Sequence, residues 1–234
     1  MTYTILGRCA RTGRLGIGIA TFSITVGRYA RSVRPMVGVV ISQAFPNENN
    51  NQIALRLLDQ GFSAKATLEH LKTNDAFYTY RQIGVIDRTG ASAAYTGPGV
   101  RGWCGEVAGE NHVATGNGLV GQPVVEAIAK GFLAEPDADL EHRLLMGIEA
   151  GRDAGGQGTA TEHKTERSAA LLVYSRDPYP DIDLRVDLHE KAVDEMRRIY
   201  AEYKQYEGYY RQRGEHPRGA PSQEAFMATL QRAS

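Results

Sequence analysis

The chain begins Met1-Thr2 and passes at once into a strand-like run, Tyr3-Thr4-Ile5-Leu6-Gly7-Arg8-Cys9. Removal of Met1, expected where a small residue follows, leaves Thr2 with both a hydroxyl and a free α-amine. An α-amine has a pKa near ~8 and can serve as a general base around neutrality. One residue then supplies nucleophile and base together. A threonine in second place is common, and from the dipeptide alone the reading with no chemical role outweighs the catalytic one.

Other residues compete for chemistry. Gly116-Asn117-Gly118-Leu119-Val120-Gly121 spells GxGxxG, the phosphate-binding pattern of dinucleotide folds. The strand before it is short, and the helix after it is followed by another helix, so no βαβ unit closes. The acidic residues some ~20 positions on, Glu135, Asp137 and Asp139, fall in an inter-helix loop, where no ribose is held. A glycine-lined turn, or a turn in which Asn117 and flanking amides receive a developing oxyanion, remains. The six histidines are scattered without HExxH or Cys-x-x-Cys…His spacing, so neither a metal nor another cofactor is expected. Cys104, beside Trp103 in a glycine-rich stretch, is a reactive thiol or, more commonly, a buried inert one. No GxSxG elbow supports a serine triad. Asp183 and Asp187, with Arg185 between them, share one strand face.

These residues need a scaffold. In residues 15–21, Leu15, Ile17 and Ile19 alternate with Gly16, Gly18 and Ala20. One face is apolar and the other is stripped of side chains, open to another layer or a ligand. Residues 3–9, 36–43, 81–87, 91–96, 112–115, 168–174 and 181–186 also read as strands. Ile53, Leu57 and Leu58 lie on one helix ending at Gly61; Ser63 caps the next, which buries Ala64, Leu68 and Leu71. A second helix pair carries Val124, Val125, Ile128 and Phe132, then Leu140, Leu144, Leu145 and Ile148. Residues 97–109 and 155–167 read as loops. A last helix over 189–213 opens on a capping box of Asp187 and Glu190. Its stripe ends in Tyr200, Tyr203, Tyr206 and Tyr210, more aromatic surface than one core contact needs, which predicts a homo-oligomer.

Hairpin turns join most strands, and strand pairs alternate with helix pairs. The expected fold is α+β, a four-layer α-β-β-α sandwich with two mainly antiparallel sheets. One domain is expected over residues 1–213, with a mobile tail over 214–234. Lys plus Arg number 27 and Asp plus Glu number 27, a formal net charge of zero, which argues against nucleic acid or anionic membrane as the main partner. No apolar run reaches the ~20 residues of a membrane span and no leader pattern precedes the first strand. A soluble, cytoplasmic protein is expected.

Several blocks together resemble the family called domain of unknown function 1028. They are residues 2–7, Thr12-Gly13-Arg14-Leu15-Gly16, Ser42-Gln43-Ala44-Phe45, Arg81-Gln82-Ile83-Gly84-Val85-Ile86-Asp87, Thr96-Gly97, Gly116-Asn117, residues 149–156, 168–173 and 183–189. The resemblance implies an N-terminal-nucleophile-hydrolase-like fold, whose superfamily cleaves amide bonds with an N-terminal Thr, Ser or Cys. It places Thr2 where the nucleophile would be. It makes Gln43, Arg81 and Asn117 candidates for substrate or oxyanion contacts, and sets Thr21 and Ser23 beside the nucleophile. The chain departs from the family pattern at Pro46-Asn47-Glu48-Asn49-Asn50-Asn51 and at residues 157–167, with Glu162 and His163, two loops expected to border the pocket.

The leading expectation is hydrolysis of an amide bond in a small non-peptide substrate. Thr2 Oγ attacks, its own amine moves the proton, Asn117 with a backbone amide receives the oxyanion, and Arg81 holds an anionic substrate and lowers the amine pKa. Ser23, Gln43, Thr21 and Asp183 complete the substrate site. The rivals are a catalytically silent binding or scaffold protein, and a hydrolase or deaminase using Cys104 or an Asp/His pair.

Overall fold

The computed structural model describes residues 1–30, 32–159 and 161–233. Ala160, within the expected 157–167 loop, and Ser234, at the end of the expected tail, lie outside the described residues. The chain divides into two compact units, Met1–Met196 and Arg197–Ser234.

The first unit opens with the hairpin β1 (Thr2–Arg8) and β2 (Leu15–Thr21), followed by the short β3 (Val33–Arg34) and by β4 (Gly38–Ala44). Helices α1 (Glu48–Asp59) and α2 (Ala64–Asn74) come next, then β5 (Arg81–Asp87), β6 (Ser92–Thr96), β7 (Trp103–Gly109) and β8 (His112–Leu119). Helices α3 (Gln122–Leu133) and α4 (Leu140–Asp153) precede two-residue strands β9 (Gln157–Gly158) and β10 (His163–Lys164). Strands β11 (Ser168–Tyr174) and β12 (Ile182–Val186) lead into helix α5 (Ala192–Glu215).

Two antiparallel sheets result among the described residues. One runs β10-β9-β8-β1-β2-β11-β12, with β7 also on β8; the other runs β3-β4-β5-β6. Their facing sides share a core that includes Leu6, Ile17, Ile19, Val39, Ile41, Ile86, Val113 and Leu172. Helices α1 and α2 cover the outer face of the smaller sheet through Leu55, Leu58, Leu68 and Leu71, packed on Val40, Ile83 and Val85. Helices α3 and α4 cover the outer face of the larger one. The fold is therefore the expected four-layer α-β-β-α sandwich.

The side-chain-free face of β2 receives the α4 layer. A Cβ on Gly16 would sit 2.7 Å from Leu144 Cδ1, and one on Gly18 3.0 Å from Ile148 Cγ1. On β1, a Cβ on Gly7 would meet Phe132 Cε2 at 2.6 Å. Helix and sheet approach so closely because these strand positions carry hydrogen. The helix caps follow the sequence: Ser63 Oγ accepts from Ala66 N, and Gly61, at φ 92°, ends α1.

Five elements differ from expectation. Residues 103–109, read as loop, form β7, because β8 offers them a full ladder in which Gly105 lies opposite Gly116. The strand β8 does not stop at residue 115. It runs through Gly116-Asn117-Gly118, so the GxGxxG segment is mostly strand and not a phosphate loop. Residues 157–164, also read as loop, contribute β9 and β10. Helix α5 starts at Ala192, not at residue 189, because the preceding backbone is tied to the sheet layer. Thr25 N donates to Asp187 O, His189 N to Arg167 O and Ala192 N to Glu166 O.

In the second unit, residues 223–233 of the expected tail form helix α6 (Gln223–Ala233). Within this unit Tyr206 and Tyr210 of the stripe stack at 5.7 Å between ring centroids, and Tyr209, beside the stripe, joins them. Tyr209 lies parallel to Phe226 at 4.3 Å between ring centroids, and Tyr206 meets Phe226 edge-on at 5.5 Å. Among the described residues no helix is long and apolar enough to cross a membrane.

Candidate active site

Strand alternation turns Thr2, Thr4 and Leu6 toward the opposite sheet. The register then sets Thr2 between Thr21 of β2 and Asn117 of β8, and Thr21 beside Ser168 of β11. Asn117, Thr2, Thr21 and Ser168 thus form one cross-strand row at the end of the apolar core. A second row, Gln43-Gln82-Thr96, crosses the smaller sheet.

Hydrogen bonds link the rows. Thr4 Oγ donates to Gln43 Oε1 at 2.6 Å, Gln43 Nε2 to Gln82 Oε1 at 2.7 Å, and Asn117 Nδ2 to the same Gln82 oxygen at 3.1 Å. Gln82 Nε2 donates to Thr96 Oγ and to the Gly116 carbonyl. Thr4 and Gln82 are fully buried. Buried amides with every partner in place fix one arrangement; a half-satisfied network is costly. Gln82→Leu strands Gln43, Asn117 and the Gly116 carbonyl together. It is expected to destabilise the protein by about 3 kcal/mol, read as a lower urea midpoint with unchanged slope.

Thr2 Oγ lies 3.0 Å from Thr21 Oγ, which donates to the Met1 carbonyl at 2.6 Å and accepts from Ser23 N at 3.2 Å. Beyond Thr2 opens a cleft of about 230 Å³ whose walls include Thr21, Ser23, Arg28, Ser42 and Gln43. Two of its lining residues, Thr25 and Ala44, have positive φ, 58° and 71°. Such backbone is strained in a non-glycine residue and persists where the surroundings over-determine it. Around Thr25 they do: Thr25 N donates to Asp187 O, and Val26 N to Ser168 Oγ, itself bonded to Ser23 O. Burial lowers the pKa of the Met1 amine. An amine whose pKa is lowered in this way is neutral, and so free to accept a proton, at a lower pH than a solvated one, while being a weaker base.

The structure brings together Thr2, Thr21, Ser23 and Gln43, all of which line the cleft. Asn117 lies opposite Thr2 in the ladder, with its amide turned to Gln82. Arg81 is not brought to Thr2. One residue before Gln82, it points to the other face of β5, where Nε donates to Asp75 Oδ2 at 2.8 Å and Nη1 to Phe45 O. This placement does not support its expected role as substrate cation; among the described residues Arg28 is the charged side chain that lines the cleft. Asp183 also stands back from the cleft. Its carboxylate holds Arg185 through two hydrogen bonds, of 2.8 and 2.7 Å, and Arg185 packs under Gly27 of the cleft loop. Burial, with Glu106 nearby, raises the Cys104 thiol, which disfavours its thiolate at neutral pH. Of the two divergent loops, Pro46 reaches the cleft. His163, Lys164, Thr165 and Arg167 instead border a separate cleft with Phe22, Leu188 and His189. Gln157 supports the site from behind, accepting from Phe22 N at 2.8 Å.

Arg81, and after it Asn50 and the Phe77 amide, hold the Asp75 carboxyl well below the ordinary carboxylate range. A depressed carboxylate contributes stability above its unfolded pKa of about 3.9 and loses it as pH falls toward the folded value. Asp75→Asn is therefore expected to destabilise at pH 7. Its gap to the unaltered protein should hold down to about pH 5 and narrow below about pH 4, as urea titrations across that range would record.

Among the described residues no three His, Cys, Asp or Glu side chains converge as a metal site. Fold and site together define a four-layer sandwich with a threonine on the cleft side of its first strand, one residue from the chain's start. The family model of DUF1028, described as a family of unknown function, matches residues 2–196, and the chain belongs to that family. That span ends where the first compact unit ends. The crystal structure of the DUF1028 protein SPO2555 from Silicibacter pomeroyi is similar at 29% identity and a TM-score of 0.76, over 87% of this chain and 89% of that one. Remoter likenesses are BPH from Thiobacillus denitrificans, at 13% identity and a TM-score of 0.40 over 76% and 100% of the chains, and Anbu, an ancestral beta-subunit, from Yersinia bercovieri, at 12% and 0.38 over 86% and 94%. No curated protein matches the sequence.

Proposed function

We propose that the protein hydrolyses a C–N amide bond in a small non-peptide substrate, with Thr2 as N-terminal nucleophile once Met1 is removed. The observation that supports this reading is Thr2 itself: its hydroxyl lines a cleft and is aligned by Thr21 Oγ at 3.0 Å. Thr2 Oγ attacks the carbonyl as the free α-amine takes its proton. The same proton passes to the leaving amine, and water then hydrolyses the Thr2 ester. Asn117, across the ladder, offers an N–H to the oxyanion; its Nδ2 carries two hydrogens, and Gln82 takes one. The cleft volume of about 230 Å³ falls below the ~300–1,000 Å³ typical of drug-sized ligands, which favours a small substrate.

The second reading is a catalytically silent binding module on the same fold. A panel of small amides separates the two. The hydrolytic reading expects amine release from protein whose N-terminus is Thr2, and none from protein that carries an uncleavable extension before Thr2. Amides that bind without any release from Thr2-terminated protein would favour the binding module.

A further inference from the structure

The cleft beside Thr2 is uneven in its chemistry. Its lining combines the polar Thr2, Thr21, Ser23, Ser42 and Gln43 with the apolar Ile19, Val26 and Ile41. Among the described residues no carboxylate lines it, and Arg28 is its one charged side chain. We propose that Arg28 anchors a carboxylate of the substrate, so that the preferred substrate is a small amide carrying a carboxylate near the scissile bond. This rests on the reading of the cleft as the hydrolytic site.

Three observations carry it. First, the Arg28 guanidinium is available. Its ion pair with Glu48, 2.9 Å long, joins side chains that are 67% and 54% exposed. Such a pair is screened and contributes little, so a substrate carboxylate can take the place of Glu48. Arg81, by contrast, is 12% exposed and committed to Asp75. Second, the group is held in place. Its guanidinium lies 5.3 Å from the centroid of the Tyr29 ring, a contact that engages its face and not its N–H groups, so that a carboxylate which displaces Glu48 can accept two parallel hydrogen bonds. Third, the loop that carries it is built rather than slack. Thr25 sits in left-handed backbone, Val26 N is bonded to the fully buried Ser168, and a Cβ on Gly27 would come within 2.7 Å of Arg185 Cδ. Strained, over-determined backbone concentrates where a ligand is clamped. Thr2 and Arg28 thus address one small volume, the hydroxyl toward a carbonyl and the guanidinium toward an anion.

The test uses matched pairs of probes: N-acetylglycine with its methyl ester, and succinamate with its methyl ester. Binding is measured by calorimetry on full-length Thr2→Ala protein, and amide cleavage on Thr2-terminated protein. In at least one pair the carboxylate member is expected to bind about tenfold or more tightly than its ester. Arg28→Ala should close that gap, Arg28→Lys should restore part of it, and Glu48→Gln should widen it. Circular dichroism checks that each variant is folded. Esters that bind as well as acids, a gap that survives Arg28→Ala, or failure of every carboxylate to bind overturns the inference. Cleavage of neutral amides with no dependence on Arg28 would leave the hydrolytic reading standing without it. Arg28-dependent carboxylate binding with no cleavage would do the reverse.

Discussion

Thr2→Ala is expected to lower kcat/KM for amide hydrolysis by at least ~10⁴-fold, the scale seen when a covalent nucleophile is removed and only binding and oxyanion contacts remain. The fold should survive. Thr2 begins β1 at the cleft side, and among the described residues its hydroxyl makes one hydrogen bond, to Thr21, so the loss is about 1 kcal/mol, a few degrees in Tm for a chain of this size. Thr2→Ser keeps hydroxyl and amine but loses the methyl that restricts χ1. It should retain measurable turnover, reduced about 10- to 100-fold by poorer orientation. The two variants together separate nucleophile from scaffold: a structural threonine would tolerate alanine and serine alike.

Gly16→Val is expected to be the most damaging single change to the fold. By propensity it should help, because valine favours strands and glycine weakens them. Space decides otherwise. The added Cβ alone would lie 2.7 Å from Leu144 Cδ1, 2.8 Å from the Leu172 carbonyl oxygen and 2.9 Å from Val173 Cγ2. The leucine tip can rotate, but the carbonyl belongs to the neighbouring strand and cannot. Either β2 shifts in its ladder or α4 lifts from the sheet, exposing the contacts of Leu144 and Ile148. Overpacking of this kind costs about 3 kcal/mol or more, which corresponds to a fall in Tm of about 10 °C. Gly208 is the contrast. It lies inside α5 with nothing within 4 Å of an added Cβ, so Gly208→Ala should be neutral or stabilising. Equal effects at both positions would show that the strand glycines are not what seats the helix layer.

Much of this layering was legible before any coordinates. The alternation of Leu15, Ile17 and Ile19 with glycines already described a strand with one face for the inter-sheet core and one for a close neighbour. Strand β7 escaped because its burial depends on β8, a partner that no single segment reveals. The site was half legible for the same reason. Thr2 announces itself by its position at the start of β1, and Thr21, Ser23 and Gln43 are singled out by the family resemblance. Gln82 lies next to Arg81 in sequence, and chemistry drew attention to the arginine. Alternation turns Arg81 toward Asp75 and Gln82 into the cleft network, and only the pairing of Gln43 with Gln82 across β4 and β5 makes the amide visible. Ser168 enters only through its register with Thr21. Arg28 sits in a short 3-10 turn, where no periodicity marks a residue as facing a cleft.

The central claim is that Thr2 acts with its own free amine. In the chain beginning at Met1 that amine is locked in a peptide bond, and Thr21 holds the carbonyl on its far side. The most direct test is the intact mass of the protein fraction that hydrolyses amide, followed by location of any acyl adduct trapped during turnover. The account predicts an active species lacking Met1, with the adduct on Thr2. Full activity in protein that still carries Met1 would contradict it.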